Sequence, residues 1–229
     1  LEEYATPFHH VPFNPESRVM FSINGTAVTR RLETTIRTHA RLPALISYYQ
    51  DRLQWDERTF HAVDWDVFSA VYPKMRKRRN FITKFCIYHL PTGDRLHRRS
   101  SNYDDRCPTC HCPSETDDHI LQCPSPARRA WRSDLIKTLL DPLTNFLDPV
   151  LLDILHEGLL QFFRASCIDP TSYAPRYQRL LKQQKSIGWN NLLRGKFSED
   201  WRYLQEQHCH RNHVKMSNSQ RQWLSKLLR

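Results

Sequence analysis

The chain has 229 residues, 39% of them hydrophobic and 11% aromatic, which is too apolar for a disordered protein and enough for one large domain or two small ones. Its net charge of +10 points to a polyanionic partner. No run approaches the ~18 apolar residues of a membrane span, no signal-peptide pattern opens the chain, and the seven cysteines therefore read as reduced thiols.

The expected compartment is nuclear or cytoplasmic, with no secretion and no membrane partner. The first residues, Leu1-Glu2-Glu3, lack a methionine, which reads as a fragment or a trimmed chain. Residues 1–17 carry three prolines and no period, so an extended arm is expected there. RVMFSI, Asn24-Gly25 and TAVT then read as a β-hairpin with a tight turn; Asn24-Gly25-Thr26 also matches a glycosylation sequon, but the turn is the simpler reading.

From Thr29 the pattern is helical. TRRLETTIRTHARL places Leu32, Ile36 and His39 on one face, and Pro43 is expected to open a second helix, PALISYYQDRLQW. Asp64 is placed to cap WDVFSAVYPKMRKRRNFITKFCIYHL, with one apolar stripe through Trp65, Phe68, Val71 and Tyr72 and another through Phe81, Phe85, Ile87 and Tyr88. Pro73 is expected to end or kink the first, and Leu90-Pro91-Thr92-Gly93 to break the second into a basic polar loop.

Further on, PARRAWRSDLIKTLLD is amphipathic through Trp131, Leu135, Ile136, Leu139 and Leu140, and Asp148-Pro149 caps and opens PVLLDILHEGLLQFFRAS. A proline-marked loop spans 168–175. Helical patterns follow in RYQRLLKQQKSIGWNNLL, SEDWRYLQEQH and SNSQRQWLSKLLR, with Ser198 and Ser217 as N-caps. The expected fold class is mostly α: a multi-helix domain with one short N-terminal β-hairpin and a small Cys3His zinc module inserted mid-chain. The expected divisions are an extended arm (1–17), a hairpin plus basic helical region (18–106), the zinc-binding module (107–123) and a C-terminal helical region (124–229).

Between Lys74 and Arg99 there are nine Lys or Arg against one acid, Asp94, a local charge of +8. Such crowding repels itself unless an anion binds there. A solvated helix face followed by a basic loop is the plain alternative.

The stretch RCPTCHCPSETDDHILQCP holds four of the seven cysteines, spaced Cys107-x2-Cys110-x8-His119-x3-Cys123. A CxxC turn sets two thiolates on one side of a loop, and a His and a Cys four apart project from one helical face. Thr116 or Asp117 is placed to cap that helix. The set closes a tetrahedral structural zinc site and leaves no position for substrate; free thiols or a disulfide are the alternatives. Cys112 would replace Cys110 only through a less usual C-x4-C half-site, and His111 lies too close to Cys110 to share an ion easily. Glu115, Asp117 and Asp118 suit the first helical turn or a supporting shell around the histidine. Asn102-Tyr103-Asp104-Asp105 comes near a polymerase aromatic-x-Asp-Asp motif, but its aromatic is one position too late.

LPTGDRLHRRSSNYDDRCPTCHCPSETDDHILQCP, through Leu90-Pro91-Thr92, Cys107, Cys110, Glu115-Thr116, His119 and Cys123-Pro124, resembles the zinc-binding module that follows the polymerase domain in non-LTR-type retrotransposon reading frames. The region from Asn24-Gly25 through Trp65, and IGWNNLLRGKFSEDWRYLQ at 187–205, also look like parts of mobile-element reading frames. The resemblance implies binding of template nucleic acid beside a reverse transcriptase, and contact with other domains of the parent element protein. A polymerase core and a convincing nuclease motif are both missing from this sequence, so no enzymatic activity is expected of it.

The expected function is accordingly a zinc-stabilised nucleic-acid-binding region whose partner is DNA or RNA. Phosphate contacts are assigned to Arg76, Lys77, Arg78, Arg79, Lys84, Arg95, Arg98 and Arg99, with Arg128, Arg129 and Arg132 from the following helix. Two alternatives stand beside it. One is a nuclease using Asp64, Asp66, Asp104 and Asp105 with a divalent ion, and the other is a helical protein-interaction module. His208-Cys209-His210 with His213 reads as a polar helix end more readily than as a second metal cluster. Arg176, Arg179, Lys182 and Lys185 form a basic stripe that is surface or a further phosphate face. The six tryptophans read as core, while one exposed Trp, Tyr88 or Tyr103 is a candidate to stack on a base.

Overall fold

Gly25 adopts φ +76°, a left-handed conformation that glycine reaches without a Cβ clash. It turns β1 (Ser22–Ile23) back onto β2 (Thr26–Ala27) as an antiparallel pair, with Ser22 opposite Ala27 and Ile23 opposite Thr26. The computed structural model describes residues 22, 23, 25–28, 30–71 and 78–214. By packing, the chain divides into residues 1–51 and 52–229.

In the first unit the hairpin leads into α1 (Leu32–Leu53), a single 22-residue helix where two were expected. Pro43 lies inside it. A proline there withholds one N–H from the helical ladder and usually breaks it. His39 and Pro43 are both exposed, so water can take the carbonyl that loses its partner.

Helices are the regular elements described in the second unit. It contains α2 (Glu57–His61), α3 (Trp65–Val71), α4 (Arg79–Cys86), α5 (Gly93–Arg99), α6 (Asp117–Gln122), α7 (Pro126–Leu140), α8 (Pro149–Phe163), α9 (Pro175–Ile187), α10 (Trp189–Leu193) and α11 (Asp200–Arg211). The chain is mostly α with one short hairpin, as its patterning predicts. No helix among the described residues is long and apolar enough to cross a membrane.

Helix α8 is the centre of the core. Leu151, Ile154, Leu155, Leu159 and Phe163 follow the helical repeat and are all buried, each full burial stabilising by ~1.5–3 kcal/mol. Gly158 on the same face admits the ring of Trp189, which stands edge-on to the fully buried Trp201. Ile136 and Leu140 from α7 and Tyr177, Leu180 and Leu181 from α9 complete the packing.

Several helix starts are where the sequence puts them. Asp148 accepts from Val150 N at 3.0 Å, and Asp64 accepts from Val67 N at 3.4 Å. Ser198 accepts from Asp200 N at 3.2 Å, one residue ahead of the cap position of α11. Pro73 and Ser217, and the cations Arg76 and Lys77, lie outside the described residues.

A short stretch of chain carries several of the hydrogen bonds that tie the core to the elements before it. Gln184, with no exposure, receives Ser198 N and Trp201 Nε1 on its carbonyl oxygen, both at 3.0 Å. Asp64 N donates to the Phe197 carbonyl at 2.7 Å, and Val63 bridges Ser198. Lys196 Nζ donates to the Cys86 carbonyl at 2.8 Å, and Arg194 Nε to that of Phe85 at 3.1 Å. Residues 194–198 therefore hold α2, α3 and α4 against the core.

Candidate metal centre and basic surface

The loop from Cys107 folds on its own backbone: Cys107 N donates to the Cys112 carbonyl at 3.0 Å, and His111 N to that of Cys107 at 2.8 Å. His111 and Ser114 take positive φ, which closes the loop tightly without glycine. Thr116 caps α6, accepting from His119 N at 3.1 Å. That cap aims His119 back toward the loop, and Cys123 follows at the end of the helix.

Cys107, Cys110, His119 and Cys123 converge, their ligand atoms all within 4.8 Å of one another. Cys107 and Cys123 sulfurs are 3.9 Å apart, and Cys110 Sγ lies 3.2 Å from His119 Nε2. Two thiolates on a tetrahedral ion at ~2.3 Å stand ~3.8 Å apart, whereas a disulfide closes to ~2.05 Å. The geometry is that of four ligands around one ion. Among the described residues it is the one such cluster.

The acid–base balance of the donors fits a cation. Burial pushes the Cys107 thiol up, but the Thr109 and Cys110 N–H groups and His119 outweigh it and bring it below its ordinary value. Burial likewise opposes, and Ser125 overcomes, the lowering at Cys123. The Cys112 N–H favours the Cys110 thiolate, yet burial and the crowding of Cys123, Cys107 and Cys112 push that thiol up to about 12. Three sulfurs this close cannot all carry charge without a cation, which a metal held by them would supply. Cys112 and His111 stay outside the converging set.

The acidic residues beside the cluster hold structure. Asp118 accepts from Asn190 Nδ2 at 3.0 Å and pairs with Arg194 at 3.1 Å, tying α6 to α10. Arg194 is itself buried, with its guanidinium carbon 3.8 Å above the ring of Tyr88. Glu115 Oε2 accepts from Gly93 N at 2.9 Å, and its backbone donates to the Asp105 carbonyl at 2.7 Å. Burial raises the Asp117 carboxyl, with Arg194 opposing.

The basic loop expected after Thr92 is a helix, α5, because Thr92 is an N-cap accepting from Arg95 N at 3.4 Å. Gly93 permits the close approach: a Cβ there would come 2.8 Å from the Asp105 carbonyl oxygen. Through Gly93 and Glu115, α5 is joined directly to the approach to the metal loop.

Of the assigned cations, Arg78, Arg79, Lys84, Arg98, Arg99 and Arg129 are exposed, and Arg95 and Arg128 half-buried. Arg98 pairs with Asp94 one turn earlier, and Arg95 donates to the Tyr88 carbonyl. Arg132 is a correction. It is 6% exposed, and its Nη1 donates to the carbonyls of Leu121 at 3.0 Å and Cys123 at 2.7 Å, so it faces the core rather than a phosphate. Its signal was in the sequence: it precedes Ile136 and Leu140 by four and eight positions, on the buried face of α7.

The remaining candidates scatter. Asp64 is buried, capping α3 and pairing with Arg202 at 3.2 Å; burial raises its carboxyl against that arginine. Asp66 and Asp104 are exposed and join no ligand cluster. His208 lies 3.4 Å from Asp148, Cys209 is buried against Gln205, and His210 and His213 are exposed. On the basic stripe of α9, Arg179 pairs with Asp200, while Arg176, Lys182 and Lys185 are exposed. Tyr88 is buried beneath Arg194, whereas Tyr103 and Trp131 are 54% and 41% exposed.

No family model, no curated protein and no solved structure matches the chain.

Proposed function

We propose that the chain is a zinc-stabilised nucleic-acid-binding module, with zinc held by Cys107, Cys110, His119 and Cys123. Three sulfurs and one imidazole nitrogen suit zinc better than a hard cation, and four protein ligands close a tetrahedral site. Zinc bound there supplies a cross-link and a charge that stabilises the thiolates. The chain's own residues do the rest: α5 presents Arg98 and Arg99, and the Gly93–Glu115 contact holds its N-terminus to the metal loop.

The observation that carries the reading is this junction of a metal-sized Cys3His cluster to an exposed cationic surface through the hydrogen bonds that Gly93 N and Asp94 N donate to Glu115. The resemblance of residues 90–124 to the module after the polymerase of non-LTR-type retrotransposons supports it. DNA or RNA is the partner, a reducing nuclear or cytoplasmic compartment keeps the thiols available, and no catalytic step is assigned to the chain.

A gel-shift comparison of single-stranded and duplex DNA and RNA at two salt concentrations tests the proposal, with magnesium lanes examined for cleavage. With six to eight phosphate contacts, binding to duplex should weaken by on the order of a thousandfold between about 50 and about 200 mM salt. Absence of binding to all four probes would overturn the reading. Cleavage in the magnesium lanes would replace it with an enzyme.

A further inference from the structure

A groove of about 370 Å³ runs between α4 and α7, floored by leucines of α8 such as Leu155 and Leu159. Most of its lining is aliphatic and inward. The two large side chains that stand at its mouth are aromatic: Phe81 is 58% exposed and Trp131 41%. Phe81 lies nearly parallel to Phe85 on the next turn, 6° apart with centroids at 6.3 Å, so α4 offers a flat aromatic face.

Cations bracket that face. Arg78 and Lys84, both exposed, fall on either side of Phe81 and Phe85 around the helix, while Arg128 lines the groove one turn before Trp131 on α7. No carboxylate is among the described lining residues. A ligand matched to this site has flat apolar faces for the rings and a negative periphery for the rim.

Nucleic acid has that chemistry only when unpaired. In a duplex the base faces are stacked on one another and only the phosphates are offered, whereas a single strand presents both. An acidic amphipathic peptide would satisfy the charge, but aliphatic anchors do not call for exposed rings at the mouth. We propose that the groove binds a single-stranded nucleic acid, with unpaired bases stacked on Phe81 and Trp131 and phosphates on Arg78, Lys84 and Arg128. The inference rests on the nucleic-acid reading above and names the form of the ligand.

The test uses the full zinc-loaded chain and fluorescence anisotropy with labelled oligo-dT and a duplex of equal length. Phe81→Ala and Trp131→Ala should each weaken oligo-dT binding by roughly ten- to a hundredfold, the range for loss of one base–aromatic stack, and change duplex binding little. Phe81→Trp and Trp131→Phe keep a ring and should retain oligo-dT affinity, which separates stacking from any loss of fold. Equal binding of strand and duplex, unmoved by the alanine variants, would overturn the groove and leave the nucleic-acid reading intact. No binding of either probe, nor of single-stranded or duplex RNA, would overturn both. Saturable binding of an acidic amphipathic peptide that Phe81→Ala abolishes, with oligo-dT unaffected by that variant, would assign the groove to a protein partner.

Discussion

Arg132 Nη1 lies 2.7 Å from the carbonyl oxygen of Cys123, so the last residue of the metal set is held by a buried guanidinium from the helix that follows it. The same nitrogen reaches the Leu121 carbonyl. Arg132→Met fills similar space but leaves two carbonyls without this donor. It should destabilise the fold by about 2–4 kcal/mol and speed metal release to a chromogenic chelator. Because Arg132 does not face solvent, the salt dependence of nucleic-acid binding should keep its slope. An altered slope with unchanged stability would return Arg132 to the surface set.

The ligand assignment is checked by metal analysis of the purified protein, with one zinc expected per chain. Cys107→Ser and Cys123→Ser should each lose it and disorder 107–123. Cys112→Ser should retain it, since that sulfur is outside the converging set. Metal lost from Cys112→Ser and kept in Cys107→Ser would reverse the assignment.

Chelation should weaken binding without abolishing it. The Gly93–Glu115 hydrogen bond means that loosening the metal loop frees the start of α5, and with it Arg98 and Arg99. Ordering each long side chain costs about 0.5–1.5 kcal/mol, so affinity should fall by roughly 1–3 kcal/mol in total. Arg79 and Lys84, on α4, should go on binding. Unchanged affinity alongside a visibly disordered loop would confine the metal to a role in folding.

At Gly158 the ring of Trp189 packs directly onto the backbone of α8. A Cβ added there would come 2.0 Å from Cη2 of Trp189, a contact that real atoms do not make. Gly158→Ala should therefore destabilise by about 1–3 kcal/mol although alanine favours helix, and should change the near-ultraviolet circular dichroism of the tryptophans. A raised Tm would mean that the ring has room to move.

Lys196 links stability to pH. Burial lowers its ammonium from 10.5 to about 7, with the Cys86 thiol opposing and Arg194 adding to the fall. A depressed cationic pKa means that the unfolded chain holds the proton more tightly. The penalty is then complete below about pH 7 and fades toward about pH 10.5, so stability rises across that window. Relative to Lys196→Met, the native chain should gain stability from about pH 7 to about pH 9, with a limiting slope of about 1.4 kcal/mol per pH unit. Parallel urea melts for the two proteins at each pH would refute the coupling.

Spacing made the metal ligands legible, because CxxC and His-x3-Cys are local patterns whose geometry follows from a turn and a helix. The caps Asp148 and Thr116 were legible for the same reason. Pro43 misled because its penalty depends on whether water reaches the freed carbonyl, which is a tertiary property. Thr92 was passed over beside Pro91 and Gly93, which suggest a break more loudly than a cap. Arg132 could have been placed by its spacing to Ile136 and Leu140, against the pull of its charge; Arg194 was hidden by its charge, since only the packed structure supplies the carbonyls and rings that make its guanidinium acceptable inside. Trp131 shows the converse, an apolar residue on a helical stripe that ends at the surface.

The contacts of residues 194–198 have a temporal consequence. Cys86 meets Lys196 across 110 positions of chain, and Val63 meets Ser198 across a still longer interval. During synthesis the Cys107–Cys123 loop can close as soon as it leaves the ribosome, since its ligands are near neighbours. Helices α2 to α4 must wait for the polypeptide to reach Ser198 before their backbone partners exist. A product truncated ahead of Lys196 would thus carry an assembled metal loop beside a basic segment with no seat, leaving Cys86 and Tyr88 open to proteases and chaperones.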